Sequence, residues 1–319
     1  MAPNTQQGWA MDDQHRPAED RSARPRVGVV GLGAMGLGMA RSLRNAGYDV
    51  GVHDLRSEVA EAFAHDGGTA FASALDLAAT VDVLVGVVVN AAQVESVLFA
   101  DGVADKLGPG AVFVMCSTVA PGWSAELEGR LAEKGVLYLD APISGGAARA
   151  ATGELTMMTS GSTAAYAVAD PVLEAMSSRV YRLGDHAGLG SQVKIVNQLL
   201  AGVHIAAAAE AMALGIQAGV PAEALYEVIT HSAGNSWMFE NRMAHVLAGD
   251  FTPLSAVDIF VKDLGIVLES ARPQQFPLPL AETAHAMFRQ ASASGLGAED
   301  DSAVIKIFPG IELPKRAEV

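Results

Sequence analysis

Val27, Val29 and Val30 form a short β-branched run that breaks into GLGAMG at 31–36 and resumes with helical spacing, Met39 and Leu43 sharing a face and Gly47 stopping the turn. A second strand is expected near 48–53, ending at Asp54. Further on, VDVLVGVVVN (81–90), AVFVMCST (111–118) and LYLDAP (137–142) are apolar without alternation, as in strands buried on both faces of a parallel sheet. Helical segments separate them. Beyond about residue 190 the period becomes helical throughout: GSQVKIVNQLLAGVHIAAAAEAMALG (190–215), then VPAEALYEVITHSA, WMFENRMAHVLAG, SAVDIFVKDLGIVLESAR and a last helix around 279–294. The pattern predicts an α/β, doubly wound parallel-sheet domain over 26–189. It is followed by an all-helical substrate and oligomerisation domain over 190–319, entered through a long interdomain helix, and preceded by a polar, disordered tail at 1–25.

The first turn carries chemistry. Gly31, Gly33 and Gly36 make GxGxxG, with Leu32, Ala34 and Met35 between them. Glycines let the backbone turn tightly and approach a pyrophosphate, whose charge meets free N–H groups at the helix N-terminus. The motif follows a strand, opens a helix and has an acidic residue 18 positions after its last glycine (36 to 54), the setting of a dinucleotide site. Asp54 suits the adenosine ribose hydroxyls and repels a 2′-phosphate, which favours NAD; Arg56 is the counter-argument for NADP. The domain is therefore expected to be Rossmann-type, with NAD as cofactor. Asn90, Ser117, Thr118 and Ser144 lie at or just past later strand ends, where such sheets bind ligands, although each alone equally suits a helix cap.

Composition narrows the class. Half the residues (50%) are apolar and 18% are charged, which fits a globular chain, and 21 Lys and Arg against 36 Asp and Glu leave a net charge of -15. That balance argues against nucleic acid as a partner. One cysteine, Cys116, excludes an intrachain disulfide framework and a Cys-rich metal site, and suits a reducing compartment, the cytoplasm. No histidine spacing suits a metal, so none is expected. The stretch around 199–218 is Ala-rich and interrupted by His204 and Glu210, a packed helix rather than a membrane span. Residues 1–25 lack the apolar run of a signal peptide.

The long helix poses the main question. Lys194 falls in its expected first turn, and no Asp, Glu, Lys or Arg follows until Glu210. The macrodipole and loss of hydration both favour a neutral amine there, unless the side chain snorkels to water. Asn197 and Gln198 share its face and could hold the amine or a substrate hydroxyl. Ser144, Gly145 and Gly146 combine a hydroxyl with exposed N–H groups, suited to a carboxylate or simply to a flexible turn. Lys262 and Asp263 follow in KDLG, and Asp258 and Lys262 also have the spacing of a surface ion pair. Without a Walker sequence or nucleophile elbow, hydride chemistry through a dinucleotide remains; it needs a proton acceptor and a carboxylate clamp.

GLGAMG (31–36), DAPISGG (140–146), GSQVK (190–194) and KDLG (262–265), taken as a set, resemble the β-hydroxyacid dehydrogenase family, relatives of 3-hydroxyisobutyrate and tartronate semialdehyde dehydrogenases. The resemblance covers essentially everything after residue 25. VVNAAQV (88–94), QLLAGVHIAA (198–207), AGNSWMFENRM (233–243), SAVDIFVKDLG (255–265) and EDDSAVIKIF (299–308) resemble more closely its branch that oxidises a four-carbon sugar acid with NAD. The resemblance implies Lys194 as general base, and Ser144, Gly145 and Gly146 as the carboxylate loop. It places Lys262 near substrate and cofactor, and Asn90 and Thr118 near the cofactor; Asp263, beside Lys262, is included in the expected cofactor site. Many relatives have asparagine four residues after the lysine; here Gln198 stands there with Asn197 beside it, and which amide orients the substrate is open. Asn235 and Ser236 are further candidates for the substrate site. Alternatives are a semialdehyde reductase or a 3-hydroxyisobutyrate-type dehydrogenase and, from another class, a non-catalytic dinucleotide-binding protein. Ala201, Gly202, Ala206 to Ala209, Ala211, Ala213 and Gly215 would let another helix approach closely; the resemblance implies that this neighbour belongs to a second subunit, so a homodimer or homotetramer is expected.

Overall fold

The computed structural model describes residues 24–316, so the expected N-terminal tail lies outside the described residues except for Arg24 and Pro25. Six strands run parallel in the order β3-β2-β1-β4-β5-β6: β1 Val27–Val30, β2 Val50–His53, β3 Thr69–Ala70, β4 Val83–Gly86, β5 Val112–Met115 and β6 Leu137–Asp140. Between them lie α1 Gly36–Asn45, α2 Ser57–His65, α3 Ala74–Ala78, α4 Ala91–Glu95, α5 Val103–Lys106 and α6 Pro121–Ala132. This is the doubly wound order whose switch point lies between β1 and β4. Val27, Val50, Val83 and Val112 lie side by side in register. With Val29, Val52, Val85 and Val114 they enter one buried cluster, while Leu84, Phe113, Met115 and Tyr138 enter the cluster on the opposite face. Both faces are covered, which is why these strands read as unbroken apolar runs.

The stretch 140–161 holds more structure than a strand end and a glycine turn. It contains β7 Ile143–Ser144, α7 Gly146–Thr152 and β8 Leu155–Gly161, followed by α8 Thr163–Met176 and β9 Ser177–Arg182. Ile143 and Ser144 pair antiparallel with Met157 and Thr156, a return around α7 that brings β8 back beside β6 in the reverse direction. The sheet is therefore parallel through six strands and mixed at this edge.

Helices follow: α9 Leu189–Gln217, α10 Ala222–Thr230, α11 Trp237–Ala248, α12 Val257–Ala271, α13 Pro279–Ala291 and a 3-10 segment at Asp301–Ile307. The 29 residues of α9 span roughly 43 Å at about 1.5 Å per residue. It is long and apolar enough to cross a membrane, yet α11, α12, α13 and the 3-10 segment pack along it. Its small residues serve that packing. A methyl group on Gly202 would come within 2.9 Å of Leu264, and one on Gly215 within 2.5 Å of Leu225. Ala206, Ala208, Ala209 and Ala213 are buried in the chain's own helical core, so part of the expected close helix approach is made within the chain, whereas Ala207 and Ala211 are exposed. Besides Ala207 and Ala211, α9 leaves larger apolar side chains exposed: Leu189, Val193, Val196, Leu200 and Leu214.

Candidate active site

The glycines of the 31–36 loop do three different jobs. Gly31 has φ +92° and donates its N–H to the His53 carbonyl at 2.9 Å; a methyl there would lie 2.4 Å from the Val87 carbonyl oxygen. At Gly36 a methyl would lie 1.8 Å from the Gly31 carbonyl oxygen, so the helix can start against the strand only with glycine. Gly33 is exposed, and a methyl on it would meet nothing within 4 Å. This bare face is the cradle a pyrophosphate needs. Ala34 is exposed beside it, Met35 precedes the first residue of α1, and the Leu32 side chain is buried in the core.

Asp54 follows β2 and braces the loop. Its Oδ2 accepts from the Leu32 amide at 2.6 Å, and its Oδ1 from the Arg56 amide at 2.9 Å and the Arg56 Nε at 3.0 Å. Burial alone would raise its carboxyl, but the Arg56 and Leu32 hydrogen bonds outweigh burial and hold it below its ordinary value. Arg56 also reaches the Leu32 carbonyl at 3.3 Å, so the cation that argued for a 2′-phosphate is engaged with Asp54 and the loop.

At later strand ends the helix-cap role is met by Asn90 but not by Ser117. Asn90 caps α4 through an Oδ1 contact from the Gln93 amide at 2.9 Å, and the Ser117 hydroxyl donates to the Val88 carbonyl at 2.7 Å. Ser236 caps α11, and the Asn235 amide donates to the Thr230 carbonyl at 3.1 Å; both sets of contacts are local. Ser144 ends β7, and Gly145 and Gly146 have φ of +140° and +75°, a backbone that L side chains rarely adopt. The loop leads directly into α7.

Lys194, Gln198, Asp263 and Lys262 come together. Lys194 is only 7% exposed, and its Nζ donates to Gln198 Oε1 at 2.8 Å. Gln198 Nε2 donates to Asp263 Oδ2 at 2.5 Å, and the Lys262 ammonium lies 2.7 Å from Asp263 Oδ1 and 3.4 Å from the Thr118 carbonyl. The row links α9, α12 and the loop after β5. Asn197 donates to the same Gln198 oxygen at 3.0 Å, so Gln198 is the amide that touches the amine. Because a carboxylate only accepts, Asp263 fixes the sense of that amide and turns its oxygen to Lys194. Asp263, expected near the cofactor, is 2% exposed and sits behind Gln198 as a support. Lys262 pairs with Asp263 and not with Asp258.

Lys194 is the sixth residue of α9, one turn later than its sequence position suggested. The macrodipole fades beyond the first turn, so it is not the main cause of the perturbed amine. Burial is; it lowers the amine to about 8, with Asp263 opposing the shift and Lys262 adding to it. Sequence reasoning passed over Asp140 at the end of β6, a fully buried carboxylate that accepts from the Gly188 and Ser191 amides at 2.9 and 2.8 Å. A lone acidic residue closing an otherwise apolar strand was the available signal.

Comparison with known proteins identifies the family. Residues 26–184 match the NAD binding domain of 6-phosphogluconate dehydrogenase, and residues 188–308 match the model described as NAD-binding of NADP-dependent 3-hydroxyisobutyrate dehydrogenase. The chain is 62% identical to L-threonate dehydrogenase of Cupriavidus necator over 293 residues, covering 92% of this chain and 99% of that protein. A crystal structure named 3-hydroxyisobutyrate dehydrogenase, from Salmonella typhimurium, is 55% identical, with a TM-score of 0.85 over 89% of this chain and 99% of that one. The Mycobacterium tuberculosis 3-hydroxyisobutyrate dehydrogenase with L-serine is 28% identical, with a TM-score of 0.77 over 90% and 100% of the two chains. Matched over nearly its whole described length, the chain belongs to the 3-hydroxyisobutyrate dehydrogenase-related family of NAD-dependent β-hydroxyacid dehydrogenases.

Proposed function

We propose that the protein oxidises L-threonate to its 2-oxo acid with NAD, Lys194 taking the hydroxyl proton. The observation that carries the reading is the amine itself, buried, lowered to about 8 and anchored by Gln198. A neutral Lys194 that donates one hydrogen to Gln198 Oε1 keeps its lone pair free for a hydroxyl proton. Ser144, Gly145 and Gly146 would hold the carboxylate, with Asn197, Gln198 and Lys262 available to the remaining polar groups of the substrate. The bare backbone at Gly33 fits a dinucleotide, which the 31–36 loop, Asp54, Asn90, Thr118 and Lys262 would hold. When bound, NAD accepts the hydride from the carbon that bears the hydroxyl. Asp54 supports NAD over NADP, because a carboxylate repels a 2′-phosphate. We also place the enzyme in the cytoplasm as a homodimer or homotetramer, with nucleotide-binding residues in 26–189 and substrate and assembly surfaces in 190–319. The exposed apolar side chains of α9 support the assembly.

The test is the initial rate of NADH formation with L-threonate, D-threonate, D- and L-erythronate, D-glycerate and 3-hydroxyisobutyrate, each with NAD and with NADP. L-threonate with NAD is expected to lead, and Lys194→Ala to abolish turnover while NADH still binds. The name of the Salmonella structure favours 3-hydroxyisobutyrate as the second reading. Preferential turnover of that acid would replace the first.

A further inference from the structure

We propose that Asp140 is a positioning residue for hydride transfer, a buried carboxylate that sets where the lysine-bearing helix starts relative to the Ser144 loop. Asp140 ends β6 and is 0% exposed. Its Oδ2 accepts from the Gly188 amide at 2.9 Å, the Ser191 amide at 2.8 Å and the Ser160 hydroxyl at 3.3 Å, and its Oδ1 accepts from the Ser191 hydroxyl at 2.7 Å. The Gly190 amide donates to the Ser160 hydroxyl at 2.9 Å. Amides at the start of α9, which a helix by itself leaves without acceptors, thus end on Asp140 or on the serine beside it. The seat is tight as well as polar. A methyl on Gly190 would lie 2.5 Å from the Met158 carbonyl oxygen and 2.9 Å from that of Asp140.

Both groups that must meet one substrate are referenced to this carboxylate. Lys194 lies three residues beyond Ser191, about 4.5 Å further along the helix axis. Ser144 lies four residues beyond Asp140, across the buried Ala141 and Pro142. A shift at Asp140 therefore changes the separation between base and carboxylate loop, and misplacement by about 1 Å can cost on the order of 100-fold in rate. With no exposure and both oxygens occupied, Asp140 acts through the helix and does not touch the substrate.

This inference rests on Lys194 acting as the base, and the two fail separately. Turnover surviving in Lys194→Ala removes the base; the Asp140 test uses whichever hydroxyacid the wild type turns over. In Asp140→Asn the amide oxygen can keep the Oδ2 contacts while its NH2 group faces the Ser191 hydroxyl, which can accept, so shape is kept and charge is lost. Expected results are kcat about tenfold lower, with KM and the Kd for NADH within about twofold. The primary deuterium isotope effect on kcat, measured with substrate deuterated at the reacting carbon, should rise as hydride transfer becomes slower. Hydrogen exchange in peptides covering 188–194 should quicken. Ser191→Ala should shift the same readouts less, and it carries the test if Asp140→Asn does not fold. A kcat within twofold of wild type overturns the proposal. So does a lower kcat with an unchanged isotope effect that merely tracks the folded fraction, since lost protein changes the number of active sites and not the step that limits them.

Discussion

An amine that titrates at about 8 holds a usable fraction of free base near neutral pH, where an ordinary lysine holds very little. The direction of its pH dependence follows. Below about 8 Lys194 is protonated and cannot accept a proton, so kcat/KM should climb in proportion to the free-base fraction and level off above that pH. A bell centred well below 8, or a flat profile, would contradict the assignment. Helical spacing put Gln198 beside Lys194 and the family resemblance put Lys262 near the substrate, but Asp263 was expected at the cofactor and the order of contact was not legible. That Gln198 stands between the lysine and Asp263, and that Asp263 lies behind it, depends on α12 packing across α9. Asp140 was hidden for the same reason, since its partners at 160, 188 and 191 are brought to it only by the fold.

Among elements, the strand–loop–helix unit at 27–45 was the most readable, because glycine placement reports backbone geometry directly. Its glycines are nevertheless unequal, and that yields a contrast. Gly31→Ala forces a methyl against the Val87 carbonyl at a positive φ, so thermal stability should fall and dinucleotide binding with it. Gly33→Ala meets no protein atom within 4 Å; melting should stay near wild type while the Kd for NADH, read by fluorescence titration, rises. An unchanged Kd for NADH in Gly33→Ala would remove Gly33 from the cofactor site. The region 143–182 was the least readable. β7 has two residues and α7 seven, too short for periodicity to emerge, and β8 is set by its pairing with β6 and β7 rather than by its own pattern.

For the whole molecule, the proposed assembly is tested on the face that α9 turns outward. Val193, Val196 and Leu200 are exposed and apolar; of the small residues that first suggested a subunit contact, Gly202, Ala206, Ala208, Ala209 and Ala213 are buried, while Ala207 and Ala211 are exposed. Val196→Glu combined with Leu200→Glu would bury like charges against a partner, so light scattering should show a smaller species than wild type. A monomeric wild type would remove the interface. The 3-10 segment at Asp301–Ile307 has a separate consequence for how the enzyme comes into being. Ala303, Val304 and Ile305 fill the same core as Ile205, Ala209 and Met212 of α9, yet they are made some ninety residues after that helix ends (217 to 307). At ~5–20 residues per second, roughly 5–20 s separate the two events. A nascent chain whose strands are already complete thus carries its lysine on a helix with an unfilled core beside it. The core of the helical region is therefore completed late in synthesis, after every strand of the 26–189 region has been made.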